Sequence, residues 1–275
     1  MSLRIGTNVG SLAIQTSINK SEREILRATK NVASGSRLSD SSVDSAGLAI
    51  SEKLKADIKS FEAAQRNVAQ ATSFSAIAEG ALAEQANILV RMRELAIQSA
   101  SDTYSNQERS FMQTEYSSLQ SEIDRIAQVT NYGSQKLLNG SSSELDIQVG
   151  KSADQSSRII FDSETNTTLS SLGLSSSSVR DKSDARDAID ASDEAMQLIS
   201  SLRAKYGALQ SRLESTESNL LSTIEALSSA RSQIYDADIP KEVSNLRKQQ
   251  ILQQYQSSLL QQTNEQAGSI LRLIG

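Results

Sequence analysis

The stretch that decides the fold is AIDASDEAMQLISSLRAKYGALQSRLESTESNLLSTIEALSSARSQI, running from Ala188 to Ile234. Within it Ala188, Ser192, Ala195, Ile199, Leu202, Tyr206, Leu209, Leu213, Thr216, Leu220, Thr223, Leu227, Ala230 and Ile234 recur at alternating steps of four and three. That rhythm is the seam of a coiled coil, narrower than the stripe of a helix on a globular core. It predicts one helix from Asp184 to Tyr235, roughly 75 Å long at ~1.5 Å per residue. A helix so long with so thin an apolar seam needs long, nearly parallel partners.

The rest of the chain supplies them. Ile14, Ile18, Ser21, Ile25, Ala28 and Val32 keep the same spacing between Asn8 and Ser34. Small residues then intervene at Ser34-Gly35-Ser36 and Ser39-Asp40-Ser41-Ser42, and Asp44 is placed to cap the next helix. That helix is predicted from Ser45 to Ser101, with a seam through Ile50, Leu54, Asp57, Phe61, Ala64, Val68 and Ala71 that shifts phase to Phe74, Ala78, Ala81, Gln85, Ile88, Met92 and Leu95. Ser105 with Glu108 reads as a capping box opening a third helix, whose face is Tyr116, Leu119, Ile123 and Ile126 and which ends at Asn131 to Gly133.

Between Gly133 and Asp181 the period changes to two. Leu145, Ile147 and Val149 alternate with polar residues, as do Ile159 and Phe161, which predicts a β-hairpin region at about 141–165 with a polar loop near Ser152 to Ser157. The flanking serines, Ser141 to Ser143 and Ser175 to Ser178, read as exposed connectors.

The only proline, Pro240, follows Asp236-Ala237-Asp238-Ile239. Proline suits the first turn of a helix, and an acidic residue just before it suits the cap. Asp236, Asp238 and Pro240 therefore mark a hinge, with a last helix from Pro240 to Leu273. One seam there is Val243, Leu246, Gln250, Gln253, Ser257, Leu260, Asn264, Ala267, Leu271 and Ile274; a second, out of phase, is Leu252, Leu259, Ile270 and Leu273. No charged residue occurs from Gln249 to Asn264. Amides and hydroxyls cost far less to desolvate than ions. Two apolar seams and an uncharged polar face predict contacts on several sides at once, which one partner helix cannot provide. Self-association through the end helices is the expected outlet, carried by Ile14, Ile18, Ile25 and Val32 at one end and Val243, Leu246, Leu252, Leu259, Leu260, Ile270, Leu271 and Leu273 at the other.

Composition narrows the chemistry. The 275 residues include no cysteine and no histidine, so thiolate or imidazole catalysis and disulfides are excluded. One proline, no tryptophan and 4% aromatics disfavour sandwiches and barrels. A net charge of -5 without a basic block disfavours nucleic acid. No apolar run reaches the ~18 residues of a spanning helix, so membrane insertion is not expected. The amino end has no cleavable signal pattern, which leaves residence in the cell or export by a machine reading something else. Carboxylates and lysines sit at the spacing of solvated helix faces; Asp236 and Asp238 are better explained as caps than as metal ligands. No catalytic, metal or cofactor site is expected. The fold class is mainly α, a long-helix bundle with coiled-coil seams and a small β-hairpin region.

Several ordered stretches carry a resemblance: Ile5-Gly6-Thr7-Asn8-Val9, Ala33-Ser34-Gly35-Ser36-Arg37-Leu38-Ser39, Asp44-Ser45-Ala46-Gly47-Leu48-Ala49-Ile50-Ser51-Glu52, and Leu89-Val90-Arg91-Met92-Arg93-Glu94-Leu95-Ala96-Ile97-Gln98-Ser99-Ala100. With the segment from Ser229 to Leu246 and the run Gln249 to Gln254, they resemble bacterial flagellin across both terminal thirds. The resemblance implies a flagellar filament subunit for swimming motility. Residues 1–43 and 236–275 would form an inner-tube coiled coil, and 44–235 an outer-tube domain of a minimal kind. It implies export through the flagellar type III apparatus to an extracellular filament and a chaperone on the carboxyl-terminal helix. The implied partners are further copies of the chain, cap and hook-junction proteins, and a host Toll-like receptor reading Arg91, Leu95 and Glu115. A hook–filament junction protein of the same family and a non-polymerising helical adaptor are the alternatives.

Overall fold

The computed structural model describes residues 8–40, 42–141, 144–162 and 165–274. Ile5, Gly6 and Thr7, and Ser142 and Ser143 of the serine-rich connector, lie outside the described residues. The chain divides into two compact units, one drawn from both ends (up to Ala56 and from Ala226) and one formed by Asp57–Glu225.

In the first unit, helix α1 (Val9–Ser34) starts where the Asn8 carboxamide accepts the Ser11 N–H at 3.0 Å. It stops at Gly35, whose φ of 67° is a left-handed cap open to glycine at little cost. The same unit takes in the start of α2 (Ser45–Ser99) and the end of α4 (Lys182–Tyr235), and it holds α5 (Ile239–Ile274). Asp44 accepts the Gly47 N–H at 2.8 Å, the expected cap of α2.

In the second unit α2 and α4 are joined by α3 (Asn106–Val129) and by two small antiparallel strand pairs. The Ser105–Glu108 capping box forms in both directions. Where α3 lies against α2, the core is Phe74, Leu82, Leu89, Met92 and Leu95 with Tyr116 and Ile123, closed by Ile199 and Tyr206 of α4. Where α3 gives out, a hairpin takes its place. Strands β3 (Leu145–Gln148) and β4 (Arg158–Phe161) pair with Ile147 opposite Ile159, and these two side chains pack onto Ala64, Val68 and Ala71 of α2 and Leu209, Leu213 and Leu220 of α4. Asn67 of α2 donates to the Gln148 carbonyl at 3.0 Å, and Gln148 in turn donates to the carbonyls of Gly150 and Ser152, so the loop is tied to the helix. A Cβ at Gly150 would stand 2.7 Å from Ser157, which leaves room for glycine alone.

Every seam position read in α4 from Ala188 to Ile234 is buried or half-buried. Ile50 of the expected α2 seam is 51% exposed, and in the second unit two features differ from the sequence reading. Asn131 does not simply end α3: β1 (Asn131–Tyr132) and β2 (Gln135–Lys136) form a further tight hairpin. In the connector before α4, Ser175 and Ser176 are exposed as expected, but Ser177 and Ser178 are half-buried and the residues around them turn inward. Thr165, Thr167, Leu172, Leu174 and Val179 are buried against the bundle. Its backbone groups are satisfied from the helices: Gln120 donates to the carbonyls of Leu174 and Ser177, Gln85 (which also donates to the Ile123 carbonyl of α3) donates to that of Thr167, and Gln113 accepts the Val179 N–H. Buried irregular backbone must find such partners, and here glutamines from α2 and α3 supply them.

Arg93 of α2 grips Asp193 of α4 through two guanidinium nitrogens at 2.6 and 3.2 Å. Hydrogen bonding to Arg93 holds the Asp193 carboxyl below the usual carboxylate range. A carboxyl lowered in the folded state stabilises it above the unfolded value, and that contribution is lost as pH falls through the folded one. Thermal unfolding followed from neutral pH into the acid range will therefore show a steeper loss of Tm for the parent than for Asp193→Asn. Leu213 is fully buried while Leu221 is half exposed; Leu213→Ala should cost about 2–5 kcal/mol in urea unfolding and Leu221→Ala well under that.

Candidate functional site

The end helices pair antiparallel within the first unit. Asn8 donates to the Thr263 carbonyl at 3.5 Å, Ser21 to the Gln256 carboxamide at 3.2 Å and Asn31 to the Glu242 carboxylate at 3.4 Å. On α1 the inward stripe is the predicted one: Ile14, Ile18, Ile25 and Val32 are half-buried and Ser21 and Ala28 buried. Asn31 joins them, fixed from the other side by Ser39, whose hydroxyl donates to it at 2.9 Å.

On α5 the register departs from the expected seam. Half-buried positions run Glu242, Leu246, Gln249, Gln253, Gln256, Leu260 and Thr263, again at four-three spacing, with Gln250 and Leu259 beside them. Val243, Ser257, Asn264 and Leu252 are exposed instead. The polar layers of α1 account for the shift. Buried Ser21 and Asn31 need hydrogen-bonding partners, and only this rotation of α5 brings Gln256 and Glu242 to them. The consequence is an outer face rich in apolar side chains: Ile251 and Tyr255 are each 65% exposed, with Val243 and Leu252 alongside. Val9, Leu12 and Leu26 are likewise exposed on α1. The α5 backbone is helical through Ile274, but the side chains of Ile270, Leu271 and Leu273 lie outside the described residues.

Asp236, Asp238 and Pro240 form the corner between α4 and α5. Asp238 accepts the Lys241 N–H at 3.1 Å, and Pro240 occupies the first turn of α5, where its missing N–H is not needed. Asp236 accepts from Ser232 at 2.6 Å and bridges Ser36 through the backbone. Ala237 donates to the Gly35 carbonyl at 2.9 Å and Arg37 to the Tyr235 carbonyl at 2.8 Å, while the Arg37 side chain reaches the Ile234 carbonyl. The break is thus stitched to the connector between α1 and α2. No local pattern signalled that pairing, because the partners are some 200 positions apart in the chain (for Ser36 and Tyr235 the separation is 199).

Arg91 and Glu115 meet on the surface, Arg91 donating to Glu115 at 2.8 Å and to Glu94 at 3.0 Å. Those bonds, Glu115 foremost, raise the Arg91 pKa further. Leu95 does not join them on that surface. It is 2% exposed and sealed in the core with Met92 and Ile123, as its place in the α2 seam requires.

Among the described residues no group of three or more acidic, histidine or cysteine side chains could hold a metal ion. No described helix is long and apolar enough to cross a membrane. The molecule is of the long-helix class, with paired end helices bearing apolar outer faces and a second unit completed by a strand pair.

Comparison with known proteins gives that class its family. The model for the bacterial flagellin N-terminal helical region matches residues 5–143, and that for the bacterial flagellin C-terminal helical region matches residues 189–274. The flagellin of Halalkalibacterium halodurans is 38% identical over 250 residues, covering 90% of this chain and 91% of its own. The flagellar filament 33 kDa core protein of Treponema phagedenis is 31% identical over 283 residues, 98% of this chain and 99% of its own. The crystal structure of Bacillus cereus flagellin is 30% identical and aligns with a TM-score of 0.51 over 56% of this chain and 88% of that one. The chain belongs to the bacterial flagellin family, the structural subunits of the flagellar filament.

The polar layers hold register at the expense of pairing strength. Replacing both members of one layer, Ser21→Ala with Gln256→Leu, removes two polar groups together and leaves neither orphaned. Hydrogen exchange of α1 and α5 amides in the double variant should slow relative to the parent.

Proposed function

We propose that the chain polymerises through its end helices into the flagellar filament, the propeller of swimming cells, and has no catalytic role. The observation that carries this reading is the outer face of α5, where Ile251, Leu252 and Tyr255 stand exposed in a stretch without a charged side chain. Burying each such side chain fully is worth roughly 1.5–3 kcal/mol. Neighbouring copies supply the cover that α1 cannot. Residues 1–43 and 236–275 line the inner tube in this proposal, with Ile14, Ile18, Ile25, Val32, Leu246, Leu259 and Leu260 holding the pair together. Val243, Leu252, Ile270, Leu271 and Leu273 serve contacts between copies. Residues 44–235 form the surrounding layer.

Several partners follow from the same reading. The subunit leaves the cell through the flagellar export apparatus without cleavage. Until then a cytoplasmic chaperone shields α5, whose bare apolar side chains would otherwise associate early. Cap and hook-junction proteins meet the same end helices at the two ends of the filament. In an animal host the exposed Arg91–Glu115 pair is what a Toll-like receptor would read, with Leu95 acting from beneath by fixing the position of α2.

Removing Gln249 to Gly275 should abolish seeded filament growth seen by electron microscopy while thermal unfolding of the second unit persists; normal filaments from that variant would overturn the reading. Tyr255→Ser should raise the critical concentration for assembly about tenfold or more, as expected when an exposed aromatic anchor is lost, and leave monomer helicity by circular dichroism unchanged.

A further inference from the structure

Of the chain's asparagines only Asn139 is followed by glycine. Such a step is chemically labile, because a glycine nitrogen, unhindered by a side chain, can attack the carboxamide before it. The fold has a use for both residues. The Asn139 carboxamide oxygen accepts from the N–H and the hydroxyl of Ser141, at 3.1 and 2.5 Å. Gly140 has a φ of 74°, and a Cβ there would stand 3.0 Å from Asn166.

The nitrogen that would attack is committed elsewhere. Residues 138–140 lie antiparallel to 165–167: Gly140 donates its N–H to the Thr165 carbonyl at 3.0 Å, and Thr167 donates to the Leu138 carbonyl at 2.8 Å, with Asn139 bridged to Asn166 between them. Attack requires the Gly140 N–H to ionise and the nitrogen to swing toward the Asn139 Cγ. The Thr165 carbonyl opposes the anion, and the pairing fixes the torsions that would have to change. Leu138, Thr165 and Thr167 are buried, whereas Gly140 and Ser141 are exposed, so water and hydroxide have access as soon as the pairing opens.

We propose that Asn139–Gly140 is a latent deamidation site, closed while 138–140 and 165–167 are paired and reactive when they part. In the open state hydroxide takes the Gly140 amide proton and the nitrogen bonds to the Asn139 Cγ. The Cγ–Nδ2 bond breaks, and the departing nitrogen takes a proton from water and leaves as ammonia, which restores the hydroxide. Water then opens the succinimide at either carbonyl, giving aspartate or isoaspartate at position 139. Isoaspartate carries the chain through its Cβ and adds one carbon between the Leu138 carbonyl and the Gly140 N–H. Those two groups no longer match Thr167 and Thr165 together, so the opening becomes permanent. The connector then loses its hold over Tyr206, whose hydroxyl meets that of Thr165 at 3.3 Å. Polymerisation plays no part in this inference.

Trypsin isolates the site in one peptide, Leu137–Lys151, which contains no other asparagine. The intact chain and the synthetic peptide of that sequence are incubated in mildly alkaline buffer, and the products are resolved by mass spectrometry with fragmentation that separates isoaspartate from aspartate. The folded chain should react at least about tenfold more slowly than the peptide, and faster as urea is raised below the global transition, since slow chemistry follows the population of the locally open form. A rate equal to the peptide's, or one unmoved by urea until the whole unit unfolds, would overturn the gate. Hydrogen exchange of the Thr167 amide should be fast in the isoaspartyl chain and slow in Asn139→Asp, which keeps the ordinary backbone. Equal protection in those two would overturn the permanent opening.

Discussion

One helix can cover only one stripe of another, and α5 carries apolar side chains around more than one stripe. That geometric limit governs the first unit. Against α1, helix α5 buries a line of glutamines punctuated by Leu246 and Leu260, and hydrogen bonds from Ser21 and Asn31 choose the line. Buried amide layers of this kind specify register more than they stabilise. What the pairing leaves outside, Ile251, Leu252 and Tyr255, is the larger hydrophobic driving force. The end helices are therefore most stable with additional neighbours, as a subunit that associates with further copies of itself requires.

The second unit solves a different problem with the same helices. Two long helices cannot enclose a core by themselves, so α3 closes one part of the α2–α4 seam and the β3–β4 hairpin another. The irregular chain between β4 and α4 fills the remaining groove, and it can be buried because Gln85, Gln113 and Gln120 meet its backbone groups. Polar side chains thus have opposite consequences in the two units. In the second they complete a closed core, and in the first they keep the pairing incomplete.

How much of this was legible in the sequence depends on the range of the interaction. The α4 seam, the Ser105–Glu108 box, the Asp44 cap, the Pro240 turn and the alternation at Leu145–Val149 are local patterns, and each has its structural counterpart. The two-residue strands β1 and β2 are too short to show alternation. The burial of Thr167, Leu174 and Val179 around the exposed Ser175 and Ser176 was not legible, because the glutamines that satisfy that backbone lie tens of positions away. The rotation of α5 was hidden for the same reason: its partners Ser21 and Asn31 are more than 200 positions distant. Leu95 is instructive. Its seam spacing placed it inside, the family resemblance placed it at a recognition surface, and the structure sides with the spacing.

The central claim is that the outer face of α5 is covered by sister subunits. Ile251→Cys introduces one thiol into a chain that has none, and its alkylation rate can be followed before and after assembly. The account predicts free reaction in the monomer and strong shielding in the filament. A thiol that reacts at the same rate in both states would contradict it.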